Sequence, residues 1–149
     1  MREKIFLGAD HAGFALKEKI KTKLQEQGLV VEDLGNDHWD PADDFPDFAF
    51  AVAERVAQEK GRGILFCASG VGMCIAANKV RGIRAVNASN RWLALHSRRD
   101  DNTNILCLPA AQLTEKEAAA IINLWLKTPF SKEKRFRRRL KKIEQREGK

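Results

Sequence analysis

Residues 63–79 read GILFCASGVGMCIAANK and contain a strand, a tight turn and the start of a helix in direct succession. The apolar run 64–67 has the length of a buried strand, and the mostly apolar segment 71–80 is typical of a helix. Gly70 and Gly72 give the intervening backbone the freedom to turn sharply. Amide N–H groups converge at such a turn, so this stretch predicts a site for an anion or a developing oxyanion.

Cys67 is the last residue of this strand and lies directly before the turn. A thiolate beside a helix N-terminus is stabilised there and can act as a base or a nucleophile. Cysteine is also common as a small buried residue, so its position leaves both a catalytic and a structural role open. The turn lacks the third glycine of a dinucleotide fingerprint and the Lys-Ser/Thr of a nucleotide P-loop.

Length and composition indicate a single globular domain over residues 1–149. Of the 149 residues, 44% are hydrophobic and 32% are charged, which favours a folded chain over a disordered one. No apolar run approaches the roughly 18 residues of a membrane span, and the N-terminus lacks signal-peptide features. We therefore expect a cytoplasmic protein without a membrane partner. The cysteines are Cys67, Cys74 and Cys107, and their spacing argues against a zinc site or a disulfide framework.

The net charge of +7 resides in the C-terminal tail. Residues 132–149 contain ten Lys and Arg against three Glu, whereas basic and acidic residues balance in the rest of the chain. A basic tail is compatible with nucleic acid or an acidic ligand. However, Phe136, Leu140 and Ile143 recur at helical spacing and form one apolar stripe. We therefore predict a helix over about 131–147 that docks on a protein surface, and we expect no nucleic-acid partner.

The rest of the chain alternates between strands and helices. The predicted strands are 4–9, 29–34, 64–67, 83–86 and 104–108, and the predicted helices before the tail are 14–27, 46–60, 71–80, 90–99 and 114–127. This alternation predicts an α/β fold in which helices cover both faces of a five-stranded parallel sheet. Ligands bind at the carboxyl edge of such sheets.

Asp10 and His11 follow the first predicted strand, so we expect them at the same edge as Cys67 and Ser69. A carboxylate next to a titratable imidazole offers acid–base chemistry at one place. The alternative is that Asp10 only caps the following helix and that His11 packs over it. The polar loop 35–46 could cover such a site. The residues of this loop that we interpret as a plain connection are His38, Trp39 and Asp43.

Several motifs, in order along the chain, resemble the type B ribose-5-phosphate isomerases, which include the galactose-6-phosphate isomerase subunits. The matching motifs are GADHAGF at 8–14, DFP at 44–46, FCASGVG at 66–72, IAANK at 75–79, GIRA at 82–85, NTNIL at 102–106, and the pair Arg135 and Arg139. The resemblance implies a Rossmann-like three-layer α/β/α sandwich with an extra C-terminal helix. It also implies a homodimer with active sites at the subunit interface, on which the C-terminal helix docks, and it leaves a tetramer open.

The resemblance also implies a reaction and assigns roles to residues. It implies that an aldose phosphate and a ketose phosphate are interconverted without metal or cofactor. Cys67 matches the family's base, the amides of 68–72 with the Ser69 hydroxyl match its anion hole, and the arginine pair matches its phosphate-binding residues. Met73 occupies the position where some members place a glutamate base. The other positions expected at the substrate are Asp44, Phe45, Ala68, Gly70, Val71, Gly72, Asn78 and Asp101.

The chain departs from the family pattern at three positions. Asp100 and Asp101 stand where the family commonly has a His-Asn pair, the His being assigned to ring opening and the Asn to substrate binding. Asp100 can act as an acid or base there if burial or Asp101 raises its pKa. Otherwise Asp10 and His11 are left to open the sugar ring. A further phosphate-binding arginine of the family falls on Ala111.

The resemblance leaves three functions open. The first is interconversion of ribose 5-phosphate and ribulose 5-phosphate through an enediolate, as in the pentose phosphate pathway, with Lys134, Arg137 or Arg138 replacing the missing arginine. The second is isomerisation of another sugar phosphate, of the allose or galactose 6-phosphate type. The third is a non-catalytic homologue that binds a sugar phosphate.

Overall fold

The chain forms one parallel β-sheet with helices packed on both of its faces. The structure is a computed structural model and describes residues 3–148. Its strands are β1 (Lys4–Ala9), β2 (Val30–Asp33), β3 (Arg62–Cys67), β4 (Ala85–Asn87) and β5 (Ile105–Pro109). Its helices are α1 (Phe14–Glu26), α2 (Phe45–Glu59), α3 (Val71–Ala77), α4 (Arg91–Asp101), α5 (Glu115–Lys127) and α6 (Lys134–Glu147). The strand order is β2-β1-β3-β5-β4, which confirms the predicted α/β class and five-stranded parallel sheet.

The central strands are apolar because both faces of the sheet are covered. Side chains alternate along β3, so Ile64 and Phe66 face the layer formed with α1, α4 and α5. Leu65 and Cys67 face the opposite layer, formed with α2 and α3. The core therefore consists of two apolar layers, and Cys67 belongs to the layer of α2 and α3.

Helix α3 ends earlier than the apolar pattern of 71–80 predicts, because the helix stops at Ala77. The side chain of Asn78 bonds twice to Ala85: its Oδ1 accepts from the Ala85 N–H at 2.8 Å, and its Nδ2 donates to the Ala85 carbonyl at 3.0 Å. These bonds hold 78–85 in a turn. Strand β4 therefore starts at Ala85 instead of residue 83.

A buried lysine fixes α1 to the end of β2. The side chain of Lys17 is fully buried, and its Nζ donates to both oxygens of Asp33, at 2.8 and 2.9 Å, and to the carbonyl of Asn36. Burial alone would raise the pKa of Asp33, but the hydrogen bonds from Lys17 and Lys21 outweigh it and lower that pKa. A buried charge without such partners would be strongly destabilising. The network therefore holds the start of the loop after β2 in place.

Helix α6 packs partly on its own chain. Leu140 is buried, and Glu147 accepts a hydrogen bond from the Gly82 N–H at 2.7 Å. Ile143 remains 48% exposed. Leu140 is thus covered by its own chain, and docking of α6 on a partner subunit stays a prediction that concerns the exposed part of the stripe. None of the helices in the described range 3–148 is long and apolar enough to cross a bilayer.

The turn after β1 packs directly on the main chain of β3. A Cβ atom added at Gly13 would lie 2.3 Å from the carbonyl oxygen of Phe66 and 2.4 Å from its carbonyl carbon. No side chain fits into that contact, because both atoms belong to a buried central strand. Gly13 also donates its N–H to the Asp10 carboxylate at 3.1 Å. Glycine at position 13 therefore sets how closely the loop after β1 approaches the end of β3.

We expect Gly13→Ala to lower the free energy of unfolding by about 1–3 kcal/mol, because the methyl group would force the two segments apart. Urea denaturation monitored by circular dichroism measures this change. Gly148→Ala is the matched control, because Gly148 has φ −73° and the nearest atoms to an added Cβ lie at 3.3 Å. Equal stability of the two variants would contradict the role given to this contact.

Candidate active site

The loops after β1 and β3 lie side by side at the carboxyl edge of the sheet. The two strands are neighbours, and Ala9 is in register with Phe66. The next residue of each strand therefore stands at the same height, and neighbouring strands are about 4.8 Å apart. The predicted residues that this register brings together are Asp10, His11, Cys67 and Ser69.

The thiol of Cys67 is buried against the glycine turn. The residue is 5% exposed, and the Gly70 N–H donates to its Sγ at 3.1 Å. Gly70 adopts φ 78°, in the left-handed region, and a Cβ there would lie 2.2 Å from the Asn87 Oδ1. Only glycine both adopts this backbone conformation readily and leaves room for Asn87. The glycine turn therefore brings a backbone N–H directly to the Cys67 sulfur.

The remainder of the turn is held by hydrogen bonds to its backbone. The Val71 N–H donates to the Ser69 Oγ at 3.2 Å, so the Ser69 hydroxyl keeps its own proton for another acceptor. Asn87 Nδ2 donates to the Ser69 carbonyl at 3.1 Å, and the Ala111 N–H donates to the Ala68 carbonyl at 3.1 Å. Ala111, where the family has an arginine, thus lies at this edge. Sequence reasoning did not identify Asn87, because a single Asn at a strand end carries no distinctive spacing.

The start of α2 lies beside the same turn. A Cβ atom added at Gly72 would lie 2.7 Å from the ring of Phe45, so that ring rests against the glycine. Asp44 occupies the N-cap position of α2, and its exposed carboxylate makes no capping hydrogen bond. The structure therefore places Asp44 and Phe45 next to the glycine turn.

The carboxylate of Asp43 contacts both the main chain and the side chain of His11. Its Oδ1 accepts from the His11 N–H at 3.1 Å and lies 2.8 Å from the His11 Nδ1, while its Oδ2 accepts from Asn36 Nδ2 at 3.1 Å. The hydrogen bond to Asp43 is the main cause that raises the pKa of His11. Burial alone would raise the pKa of Asp43, but the bonds from His11 and Asn36 outweigh it and lower that pKa. Asp43 thus ties the loop after β2 to His11, a contact that its interpretation as part of a plain connection did not include.

The carboxylate of Asp10 lies between the turn before α1 and the side chain of His11. It accepts the Gly13 N–H and so holds the turn before α1, although Gly13 itself is the N-cap residue. It also lies beside His11, whose charge it favours. Burial is the main cause that raises the pKa of Asp10. Asp10 therefore keeps a proton to higher pH than an ordinary aspartic acid.

Within residues 3–148, one group of potential metal ligands has donor atoms close enough together to hold an ion. It consists of Asp10, His11 and Asp43. One donor atom of each lies within 4.8 Å of the other two. The His11–Asp43 hydrogen bond already links two of these side chains. The group is thus a hydrogen-bonded cluster of acid–base residues.

Three other predicted residues lie at the opposite edge of the sheet. Asn78 uses both of its amide atoms on Ala85, at the start of β4. Asp100 and Asp101 end α4, which runs back toward the start of β5. The hydrogen bond from Arg99, at 2.9 Å, is the main cause that lowers the pKa of Asp100, so the raised pKa on which an acid–base role of Asp100 depended is not found. Asp101 is the one whose pKa is raised, by burial and by Asp100.

The predicted phosphate-binding arginines accompany Asp101 at that opposite edge. The guanidinium groups of Arg135 and Arg139 lie 4.7 and 5.8 Å from the centroid of the Phe136 ring. Both residues are exposed, and the charge of Arg139 partly offsets the rise in the pKa of Asp101. Arg135 pairs with Glu133 at 3.0 Å. Within one chain, the structure does not bring these arginines to Cys67.

Comparison with known proteins gives one consistent result. The profile of the ribose/galactose isomerase family matches residues 5–143. A probable ribose-5-phosphate isomerase B of Mycoplasma genitalium is 42% identical over 141 residues, which are 93% of this chain and 92% of that protein. A D-erythrulose-4-phosphate isomerase of Pectobacterium atrosepticum is 39% identical over 127 residues, with 85% and 84% coverage.

The solved structures agree with the sequence matches. The crystal structure of the Mycoplasma genitalium ribose-5-phosphate isomerase B with bound ribulose 5-phosphate superimposes with a TM-score of 0.94 at 40% identity. The match covers 98% of this chain and 97% of that one. The resemblance inferred from the motifs is thereby confirmed. The chain belongs to the ribose/galactose isomerase family of aldose–ketose isomerases.

Proposed function

We propose that this enzyme interconverts ribose 5-phosphate and ribulose 5-phosphate, with Cys67 as the base. The observation that carries the proposal is the Gly70 N–H bond to the Cys67 Sγ, next to the Asp10 and His11 pair. Support for a pentose phosphate comes from the relatives named ribose-5-phosphate isomerase B and from the solved relative with bound ribulose 5-phosphate. Such a reaction belongs to the pentose phosphate pathway, and the three free cysteines suit a reducing, cytoplasmic setting.

The proposed chemistry needs a base and a place for negative charge. The Cys67 thiolate removes the proton from C2 of the open-chain aldose, and the electron pair moves to the C1 oxygen. The resulting enediolate accepts hydrogen bonds from the free hydroxyl proton of Ser69 and from amides of the glycine turn. The thiol then returns the proton to C1, while the proton of the C2 hydroxyl passes to the C1 oxygen, so that C2 becomes the ketone and C1 carries the hydroxyl. Asp10 and His11 supply acid and base for opening the sugar ring.

We also propose a homodimer in which each active site combines residues of two chains. The support is the separation within one chain between Cys67 and the cluster of Asp101 and Arg139. Exposed apolar side chains beside the glycine turn offer an interface: Val71 and Ile75, one helical turn apart, are 50% and 57% exposed. A second copy would bring its arginines to the substrate phosphate, which a planar guanidinium binds through two oxygens.

Cys67→Ala should reduce ketose formation from ribose 5-phosphate by about 10²–10⁴-fold, because no other group replaces the base. A coupled assay of purified protein without added metal measures this loss, and circular dichroism checks folding. Cys74→Ala is the matched control, because Cys74 contacts the Ala85 carbonyl through its sulfur and does not bond the Gly70 amide. Undiminished turnover by Cys67→Ala would refute the assignment of the base.

Mixing two inactive variants tests the shared site. If sites combine two chains, co-refolded Cys67→Ala and Arg139→Ala form heterodimers in which one site carries neither substitution. With random pairing, about a quarter of wild-type activity should return. The separately refolded variants are the control. A mixture that stays as inactive as its parts would show that Cys67 and Arg139 do not serve one site from different chains.

A different sugar phosphate is the second candidate. It is favoured by Asp100 and Asp101, and by Ala111 at the glycine turn, where the family has His, Asn and Arg. Asp and Ala at these positions offer fewer hydrogen-bond donors to a phosphate than His, Asn and Arg would, and the two Asp add negative charge. The relative that acts on D-erythrulose 4-phosphate belongs to the same set of matches.

Turnover of four-, five- and six-carbon aldose phosphates, compared by kcat/KM, decides between these substrates. We expect the highest kcat/KM for ribose 5-phosphate. A higher kcat/KM for erythrose 4-phosphate, allose 6-phosphate or galactose 6-phosphate would favour the second candidate. A rise in Tm with sugar phosphate but no turnover of any would instead indicate a binding protein.

A further inference from the structure

We propose that Asp43 is a positioning residue that holds the His11 ring ready to donate a proton from Nε2 to the ring oxygen of the closed sugar. This inference rests on the proposed function. Asp43 does not need to touch the sugar, because it acts through His11.

The carboxylate of Asp43 holds His11 at two points, and we call this arrangement the clamp. One carboxylate oxygen receives both the main-chain N–H and the Nδ1 of His11, at 3.1 and 2.8 Å. The side chain of Asp43 is only 5% exposed, whereas that of His11 is 38% exposed. With Nδ1 engaged, Nε2 is the ring nitrogen left without a partner among the described residues. The imidazole is thus fixed at one end and open at the other.

Hydrogen bonds connect Asp43 to buried parts of the protein. The second oxygen of Asp43 accepts the side-chain amide of Asn36 at 3.1 Å. The backbone of Asn36 is held in turn, because its N–H donates to the Ala9 carbonyl at 2.9 Å and its carbonyl accepts from buried Lys17. A chain of hydrogen bonds therefore runs from Lys17 through Asn36 and Asp43 to His11. Such outer partners commonly fix the orientation and tautomer of a histidine.

The electrostatics of the site favour a protonated His11. The charged groups that face the imidazole are Asp10, from the end of β1, and Asp43 and Asp40, from the loop after β2. All three raise the pKa of His11, and the hydrogen bond to Asp43 contributes most. His11 therefore keeps its proton to higher pH than an ordinary histidine, which favours its use as an acid. Above its pKa the acid is lost, so His11 sets the alkaline limit of ring opening.

Asp43→Asn tests the proposal, since Asn keeps an oxygen acceptor but removes the charge. The matched control is Asp37→Asn, which removes the charge from the other His–Asp contact of the same loop, between Asp37 and His38 at 2.6 Å. Those two side chains are 91% and 69% exposed. Histidine side-chain NMR titration reports each imidazole pKa without requiring activity, and His11→Gln identifies the His11 signal.

We expect Asp43→Asn to lower the pKa of His11 toward its ordinary value of 6.5 and Asp37→Asn to leave it unchanged. The alkaline limb of kcat/KM for ribose 5-phosphate should move to lower pH by the same amount. A merely structural role of Asp43 would lower Tm and turnover at every pH without moving that limb.

An unchanged His11 pKa in Asp43→Asn would overturn the proposal, and so would a shifted pKa with an unshifted alkaline limb. Asp43→Ala, which removes the acceptor as well, should free the ring and broaden or shift the His11 signal further. A well-folded wild-type protein without turnover of any sugar phosphate would refute the proposed function. In that case the NMR titration still decides whether Asp43 controls His11.

Discussion

The close contact between the main chains of Gly13 and Phe66 is the constraint on which the site depends. It lets the loop after β1 lie directly over the end of β3, with no side chain between them. Asp10 and His11 are thereby held next to Cys67, although 56 residues separate His11 from Cys67 in sequence. The same contact aims the Gly13 amide at Asp10, so the packing of the turn and the orientation of the carboxylate are set together.

Most of the fold and half of the site could be predicted from local patterns. Apolar runs and glycine turns carry their structural meaning within a few residues, so the sheet and its carboxyl edge followed from them. Asp43 escaped prediction because its partner His11 lies 32 residues away and no spacing encodes that contact. The lowered pKa of Asp100 could not be predicted, because the pairing with Arg99 depends on a side-chain orientation that sequence does not specify.

Charge is distributed unequally between the two ends of the sheet. Three carboxylates, those of Asp10, Asp43 and Asp44, surround the end of β1 and the start of α2, whereas Arg135 and Arg139 are carried by α6 near Asp101. A sugar phosphate is repelled by the first group and attracted by the second. A single chain thus keeps the groups proposed for proton transfer apart from the groups proposed for phosphate recognition, and the proposed dimer would reunite them.

The glycine turn has a consequence for how such an enzyme diversifies. Its hydrogen-bond donors at 70 and 71 belong to the peptide backbone, and mutation at neighbouring positions changes side chains but leaves those N–H groups in place. The proposed enolisation would therefore keep these backbone donors through sequence change, while the side chains around the turn remain replaceable. One scaffold can in this way supply catalysts for four- and five-carbon substrates, as the names of its relatives illustrate.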